Sequence, residues 1–141
     1  MSLGQGTGLA ETRSPSRQRS PLVALSFALA GWVVPGLGHA LAGRRARGLL
    51  IFVCVAALVV TGYLQRGYVF SSHSQDAFGL LGFLADIGAG AFYLLAKVIE
   101  VGGPDIARAA GDYGTRFIAT GGVLNVLTAF DAFAVARGER E

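Results

Sequence analysis

Charge is what this sequence has least of. Only 15% of its 141 residues are Asp, Glu, Lys or Arg, where a soluble globular domain carries about a quarter. There is one cysteine, Cys54, which excludes an internal disulfide and a thiolate metal site. It lies in an apolar run and reads as a packing residue. The two histidines, His39 and His73, are too few and too unlike in setting for a bis-His haem. No His-Glu-x-x-His site, P-loop or dinucleotide fingerprint occurs. Ser26, Cys54 and His39 form no nucleophile–base pattern. A net charge of +3 is too dispersed for a nucleic-acid surface. The expectation is a protein that is not an enzyme and has no cofactor, no metal and no nucleic-acid partner.

What is abundant is apolar side chain and glycine. Hydrophobic residues make up 52% of the chain and glycine fills 21 positions, about twice its usual share of ~7%. Mean hydropathy is +0.53. These values point to a lipid bilayer. Residues 1–20 differ: they are polar, Gly/Ser-rich and carry Arg13, Arg17 and Arg19. Such a stretch cannot bury enough surface to order itself and reads as a disordered tail.

Four apolar segments follow, at about 22–42, 48–64, 78–101 and 117–136, within a membrane domain spanning 21–137 and ending in a polar tail, 138–141. Each is close to the roughly 17–25 residues needed to cross a hydrocarbon core. They lack the ten-residue alternation of barrel strands. The expected fold is all-α, an integral membrane bundle of three or four apolar helices in a cell inner membrane. No internal repeat is visible. Ala40-Leu41-Ala42 resembles a signal-peptidase site, but Arg44, Arg45 and Arg47 follow at once and resist export, so the first segment is expected to be retained.

The first segment contains Pro35-Gly36-Leu37-Gly38-His39, then Gly43-Arg44 and Arg47-Gly48. Proline removes a donor and clashes with the preceding turn; glycine admits left-handed backbone. A helix break is therefore expected at Pro35-Gly36. Either the broken end, with His39, faces a polar cavity, or the break is a packing kink with His39 capping it or sitting at the headgroups.

Charge counting bears on the same segment. If it spans, six basic residues fall on each side and the positive-inside rule decides nothing. If it enters and returns, the division becomes nine against three. Both arrangements put Arg44, Arg45 and Arg47 in the cytoplasm, where they either set topology or hold anionic lipid headgroups.

The third segment carries Asp86, Tyr93, Lys97 and Glu100 at spacings that share one face of a continuous helix. The fourth carries Asn125, Thr128 and Asp131 within one arc. Small residues around both sets predict close packing of the two segments, polar groups inward. Asp86 and Asp131 are then either an ion pathway or, for Asp86, interhelical glue bonded to Asn125, Thr128 or Tyr93, with Asp131 near water and Arg137.

The front motif resembles the P-G-L-G-[HQ]-x-x-x-G-R-x-x-x-G signature of a family of small bacterial membrane proteins, distantly similar to the two-transmembrane (TM-two) domain. Tyr113-Gly114-Thr115, Phe117, Leu124-Asn125 and Asp131-Ala132-Phe133 resemble that uncharacterised family's closing segment. An aromatic pair common after the His or Gln is Ala40-Leu41 here. The resemblance implies a multi-span membrane protein of unknown activity and brings no catalytic residue. The expected function is a structural or partner-binding component, pairing through Gly-rich helices with a second copy or another membrane protein. The alternative is a small oligomeric transporter or channel using Asp86 and Asp131.

Overall fold

The computed structural model describes residues 19–67, 69, 77–99 and 109–140. Six helices are present among them: α1 (Pro21–Val33), α2 (Leu37–Leu41), α3 (Arg45–Leu64), α4 (Ala77–Gly88), α5 (Ala91–Ile99) and α6 (Ala109–Arg137). The expectations placed on residues 1–18, Ser72, His73, Glu100 and Arg108 lie outside the described residues.

Two helices are long and apolar enough to cross a membrane, Arg45–Leu64 and Tyr113–Arg137, or three if the bent α4–α5 pair counts as one. At 1.5 Å per residue, the 20 residues of α3 reach about 30 Å. The 13 residues of α1 reach only about 20 Å.

Helix α6 is the mast of the bundle: α1, α2, α3 and α4 all pack on it. It runs antiparallel to α3. Gly62 meets Gly114 at one end, Gly121 meets Val59 midway, and Arg47 meets Asp131 at the other. The approach is close because both helices present glycine. A Cβ on Gly62 would lie 2.5 Å from the Gly114 carbonyl oxygen.

The first segment is not one helix. Val34 N–H bonds the Ala30 carbonyl and closes α1. Val34-Pro35-Gly36-Leu37 then forms a type II turn. Leu37 N–H donates to Val34 O at 3.0 Å, and Gly36 sits at φ 80°, ψ −12°, the position that demands glycine. The chain doubles back, so that Gly38 contacts the Phe27 carbonyl and its nitrogen lies 3.3 Å from where a Gly31 Cβ would be. Helix α2 closes with Gly43 at φ 93°, Arg44 N–H bonding His39 O and Gly43 N–H bonding Ala40 O. This is a Schellman motif, which explains the Gly-Arg pair. Gly48 packs against the Gly36 carbonyl and Ala40.

The third segment breaks too, which sequence reasoning did not anticipate. Gly90, at φ 61°, follows α4, and α5 leaves at 111° to it. An angle beyond a right angle means that α5 turns back, bringing Tyr93 over Phe83 with ring centroids 6.3 Å apart. Asp86 on α4 and Tyr93 and Lys97 on α5 therefore do not form a single helical face. Helix α6 begins at Ala109, ahead of the apolar stretch it carries.

Substitutions separate the two demands on these glycines. Gly122→Ala, whose Cβ would collide with the Ala85 carbonyl, and Gly36→Ala, blocked by both φ and the Gly48 carbonyl, should each cost more than about 2 kcal/mol. Gly43→Ala meets nothing within 4 Å and should cost about 1–2 kcal/mol through φ alone. Pro35→Ala should be milder than Gly36→Leu or Gly38→Leu. Detergent thermal melts read all of these variants; equal melting for Gly43→Ala and Gly122→Ala would contradict this packing.

Candidate functional site

Two polar junctions join the front motif to α6. The first is at the arginine-rich end. His39, 1% exposed, puts Nε2 2.8 Å from Asp131 Oδ2. Arg47 reaches the same oxygen at 2.9 Å, and Arg140 reaches Oδ1 at 3.0 Å. Arg44 donates to the Arg140 carbonyl at 3.3 Å.

Local structure makes this possible. The α2 Schellman turn sets His39 beside α6 and starts α3 with Arg47 within reach of Asp131. A second Schellman turn, with Gly138 at φ 75° and Glu139 N–H bonding Ala134 O, folds the C-terminal residues back so that Arg140 covers Asp131. Gly38 presses on Ala132, whose Cβ would be 2.9 Å from a Gly38 Cβ.

Several expectations are corrected here. His39 neither faces a cavity nor caps the break; it is buried and bonded to Asp131. Asp131 is not paired with Arg137, which instead binds Glu139 at 3.0 Å. Of the three arginines assigned to headgroups, Arg45 and Arg47 are exposed, Arg47 also reaching Asp131, and Arg44 is half-buried. Sequence reasoning missed Arg140. Its signal was Gly138, a helix-ending glycine that turns the tail back.

The second junction is near the middle of the Tyr113–Arg137 span. Asn125 is fully buried, and its Nδ2 donates to two carbonyls, Trp32 O and Gly88 O, each at 2.8 Å. These are last-turn carbonyls of α1 and α4, which have no acceptor role inside their own helices. Asn125 thus ties the ends of two half-helices to α6. Gly90 packs directly on the Trp32 carbonyl, so the two turns touch. Gly88 lies on Gly122, with 2.7 Å between a would-be Cβ and the Gly122 oxygen. Close packing of the third and fourth segments is therefore present, as the spacing of small residues suggested.

Asp86 is fully buried. The expected partners Thr128 and Tyr93 are used locally: Thr128 bonds the Asn125 carbonyl at 2.9 Å, and Lys97 donates to the Tyr93 hydroxyl at 3.2 Å. Among the described residues no group of three His, Cys, Asp or Glu could hold a metal ion.

The Asp131 cluster should be unequal in its parts. Asp131→Ala strands a buried imidazole and should cost about 2–4 kcal/mol. Arg140→Ala, at a residue 68% exposed, should cost under about 1 kcal/mol. A double-mutant cycle on His39 and Asp131 should show coupling of about 0.5–3 kcal/mol; additive effects would mean that the pair contributes nothing.

The motif at the front of the chain and the polar residues of its closing helix are therefore one structural unit, each piece contacting the other. No curated protein and no solved structure matches the chain. Residues 26–141 match a family whose span includes both junctions, and the chain belongs to it: DUF6677, a family of unknown function.

Proposed function

We propose that the protein is a multi-pass component of a bacterial inner membrane that crosses it twice, through α3 and α6. On this reading α1–α2 and α4–α5 are re-entrant hairpins entering from opposite sides. Parity supports it. Helix α3 finishes at the Leu64 end and the antiparallel α6 begins at that same end, so α4–α5 makes no net crossing. Walking back along α1 from Trp32 to Phe27 leads from the level of Asn125 to that of Ala132. Helix α1 therefore enters from the arginine-rich side.

The nine-to-three charge division does not survive this arrangement, because Arg137 and Arg140 lie beside Arg44. On this reading, among the described basic residues, Arg19, Arg44, Arg45, Arg47, Arg137 and Arg140 share one end, opposite Arg66, Lys97 and Arg116. The positive-inside rule then puts that end in the cytoplasm. Arg45, with no carboxylate partner among the described residues, faces anionic headgroups.

The function that fits best is a non-enzymatic structural or partner-binding role. One observation carries it: Asp86 and Asn125 are fully buried and His39 nearly so. The polar groups are spent inside the bundle, and what the protein offers its surroundings is apolar surface, such as Leu64, Val98 and Phe130 at 70% exposure or more. Partners would meet it through helix packing, as a second copy or another membrane protein, with the bilayer as its solvent. A groove of about 380 Å³ along α3, lined by Cys54, Ala57, Leu58 and Thr61, is the type of surface on which a helix seats. The alternative, a transporter using Asp86 and Asp131, has less support, since Asp131 is engaged by His39 and two arginines.

Two experiments test this. In a Cys54→Ala background, single cysteines at Ser20, Ala46 and Glu139 should label from one side and at Arg66 from the other; Ser20 opposite to Ala46 would mean that α1 spans. In liposomes, wild type and Asp86→Asn should carry no proton flux, with Asp86→Asn at least as stable as wild type and Asp86→Leu less stable than Asp86→Asn by about 0.6–2 kcal/mol. Flux that is lost in Asp86→Asn would replace the scaffold with the transporter.

A further inference from the structure

The arginine-rich end carries more cation than its carboxylates use. Asp131 takes Arg47 on Oδ2 at 2.9 Å and Arg140 on Oδ1 at 3.0 Å, and the buried His39 also bonds Oδ2. Two guanidiniums thus share one negative charge. Arg44 and Arg45 precede Arg47 with no carboxylate partner among the described residues, while Arg137 is matched by Glu139. The two shared guanidiniums are also open, with side chains 43% and 68% exposed for Arg47 and Arg140. Each has five N–H donors, more than one shared carboxylate can accept. Both are held in place. Arg47 lies in the first turn of α3, and the residues carrying Arg140 are pinned by the Gly138 turn and by Arg44, which donates to the Arg140 carbonyl. Asp131 therefore keeps two planar forks side by side, with donors left over.

We propose that this end of the bundle binds the phosphate group of an anionic phospholipid, clamped by Arg47 and Arg140 with Asp131 as their positioning residue. Guanidiniums bind phosphate oxygens through parallel N–H bonds. Setting topology would be served by lysine as well as by arginine, yet every described cation at this end is arginine, whose fork matches phosphate where an ammonium does not. Helix α3 starts here with no acidic residue in its first turn and no side-chain cap, so the positive end of its dipole adds to the field of the arginines. The apolar neighbours point to lipid rather than free phosphate. Leu49 and Leu50 follow Arg45 and Arg47 at helical spacing on the same side of α3. Both are exposed, as is Leu41 at the end of α2. They give acyl chains an apolar wall beside the phosphate. The inference rests on the reading of α3 and α6 as spans, which sets the arginines at headgroup level, and it adds a defined site to the general attraction of Arg45.

The test is the thermal stability of the full chain in a neutral detergent at about 0.15 M salt, where screening limits long-range attraction to about 8 Å. Phosphatidylglycerol added to the micelles should raise Tm saturably, by about 3 °C or more. Phosphatidylcholine, which brings its own cation to the arginines, should not. Arg47→Gln and Arg140→Gln should each weaken the phosphatidylglycerol titration about fivefold or more, and Arg116→Gln, at the opposite end, should leave it unchanged. Should Arg47→Gln fail to fold, Arg140→Gln, on an exposed side chain, still decides. Equal effects of the two lipids on the wild type would overturn the proposal. So would a phosphatidylglycerol titration that Arg140→Gln leaves intact or that Arg116→Gln weakens as much, since either means attraction without a site. Inorganic phosphate giving the same saturable rise would make free phosphate the ligand and overturn the assignment to lipid. Failure of the topology reads differently: labelling of Ser20 and Ala46 from opposite sides would overturn the two-span reading while the lipid titration stood. A missing titration with the expected labelling would overturn the site alone.

Discussion

A helix that ends within a hydrocarbon layer leaves carbonyls that no water can reach, and each must find a donor inside the protein. On the proposed arrangement, the described residues contain two such ends, at Val33 and Gly88. Its architecture follows from how they are satisfied. Turns absorb some carbonyls: Val34 takes Ala30 O, Ala89 takes Asp86 O and Gly90 takes Ile87 O. Two others, Trp32 O and Gly88 O, are satisfied by the same side chain. Asn125 therefore fixes where α1 and α4 stop and holds both stops at one level of α6. Without such a donor, neither half-helix could end at that depth at an acceptable cost.

Satisfying those carbonyls requires backbones to come within side-chain reach of one another, and glycine provides that. Gly36 lies on Gly48, Gly62 on Gly114, and Gly88 on Gly122. In lipid no hydrophobic gain comes from burying leucine against leucine, so close packing and hydrogen bonds must drive association. The exposed leucines and phenylalanines are consistent with that: they face outward, while the contacts between helices are made by the smallest residues. The high glycine content is thus the physical counterpart of the low charge.

The sequence made some of this legible. Pro35-Gly36 announced the first break, because proline followed by glycine satisfies both central positions of a type II turn. The small-residue faces around Asp86 and Asn125 announced the packing of α4 on α6. The second break was not legible. Gly88-Ala89-Gly90 contains no proline, and glycine pairs are equally at home in continuous membrane helices, so spacing alone could not separate a packing face from a turn. The partners of Asn125 were hidden for a different reason. They are backbone carbonyls, and a carbonyl's availability depends on where its helix stops. The order of half-helix, glycine turn, short helix and long helix occurs twice, yet no sequence repeat betrays it, and the packing is unequal because α6 alone receives both half-helices.

The arginine-rich end shows why length and charge gave opposing readings of the first segment. Its 21 apolar residues suffice for a crossing only if they form one helix. Once the turn at Pro35 reverses the chain, about 20 Å of α1 leads to mid-bundle and α2 leads back. His39 then arrives at the level of Asp131, and the carboxylate is met by an imidazole from α2, a guanidinium from α3 and another from the C-terminal tail. Three separate stretches of chain are held to α6 by one carboxylate. Its surplus of positive charge stays at the end of the bundle, where headgroups can balance it. Asn125 and Asp131, less than two turns apart on α6, thus hold different parts of the chain. The amide anchors the hairpin tips, and the carboxylate anchors the base of the first hairpin.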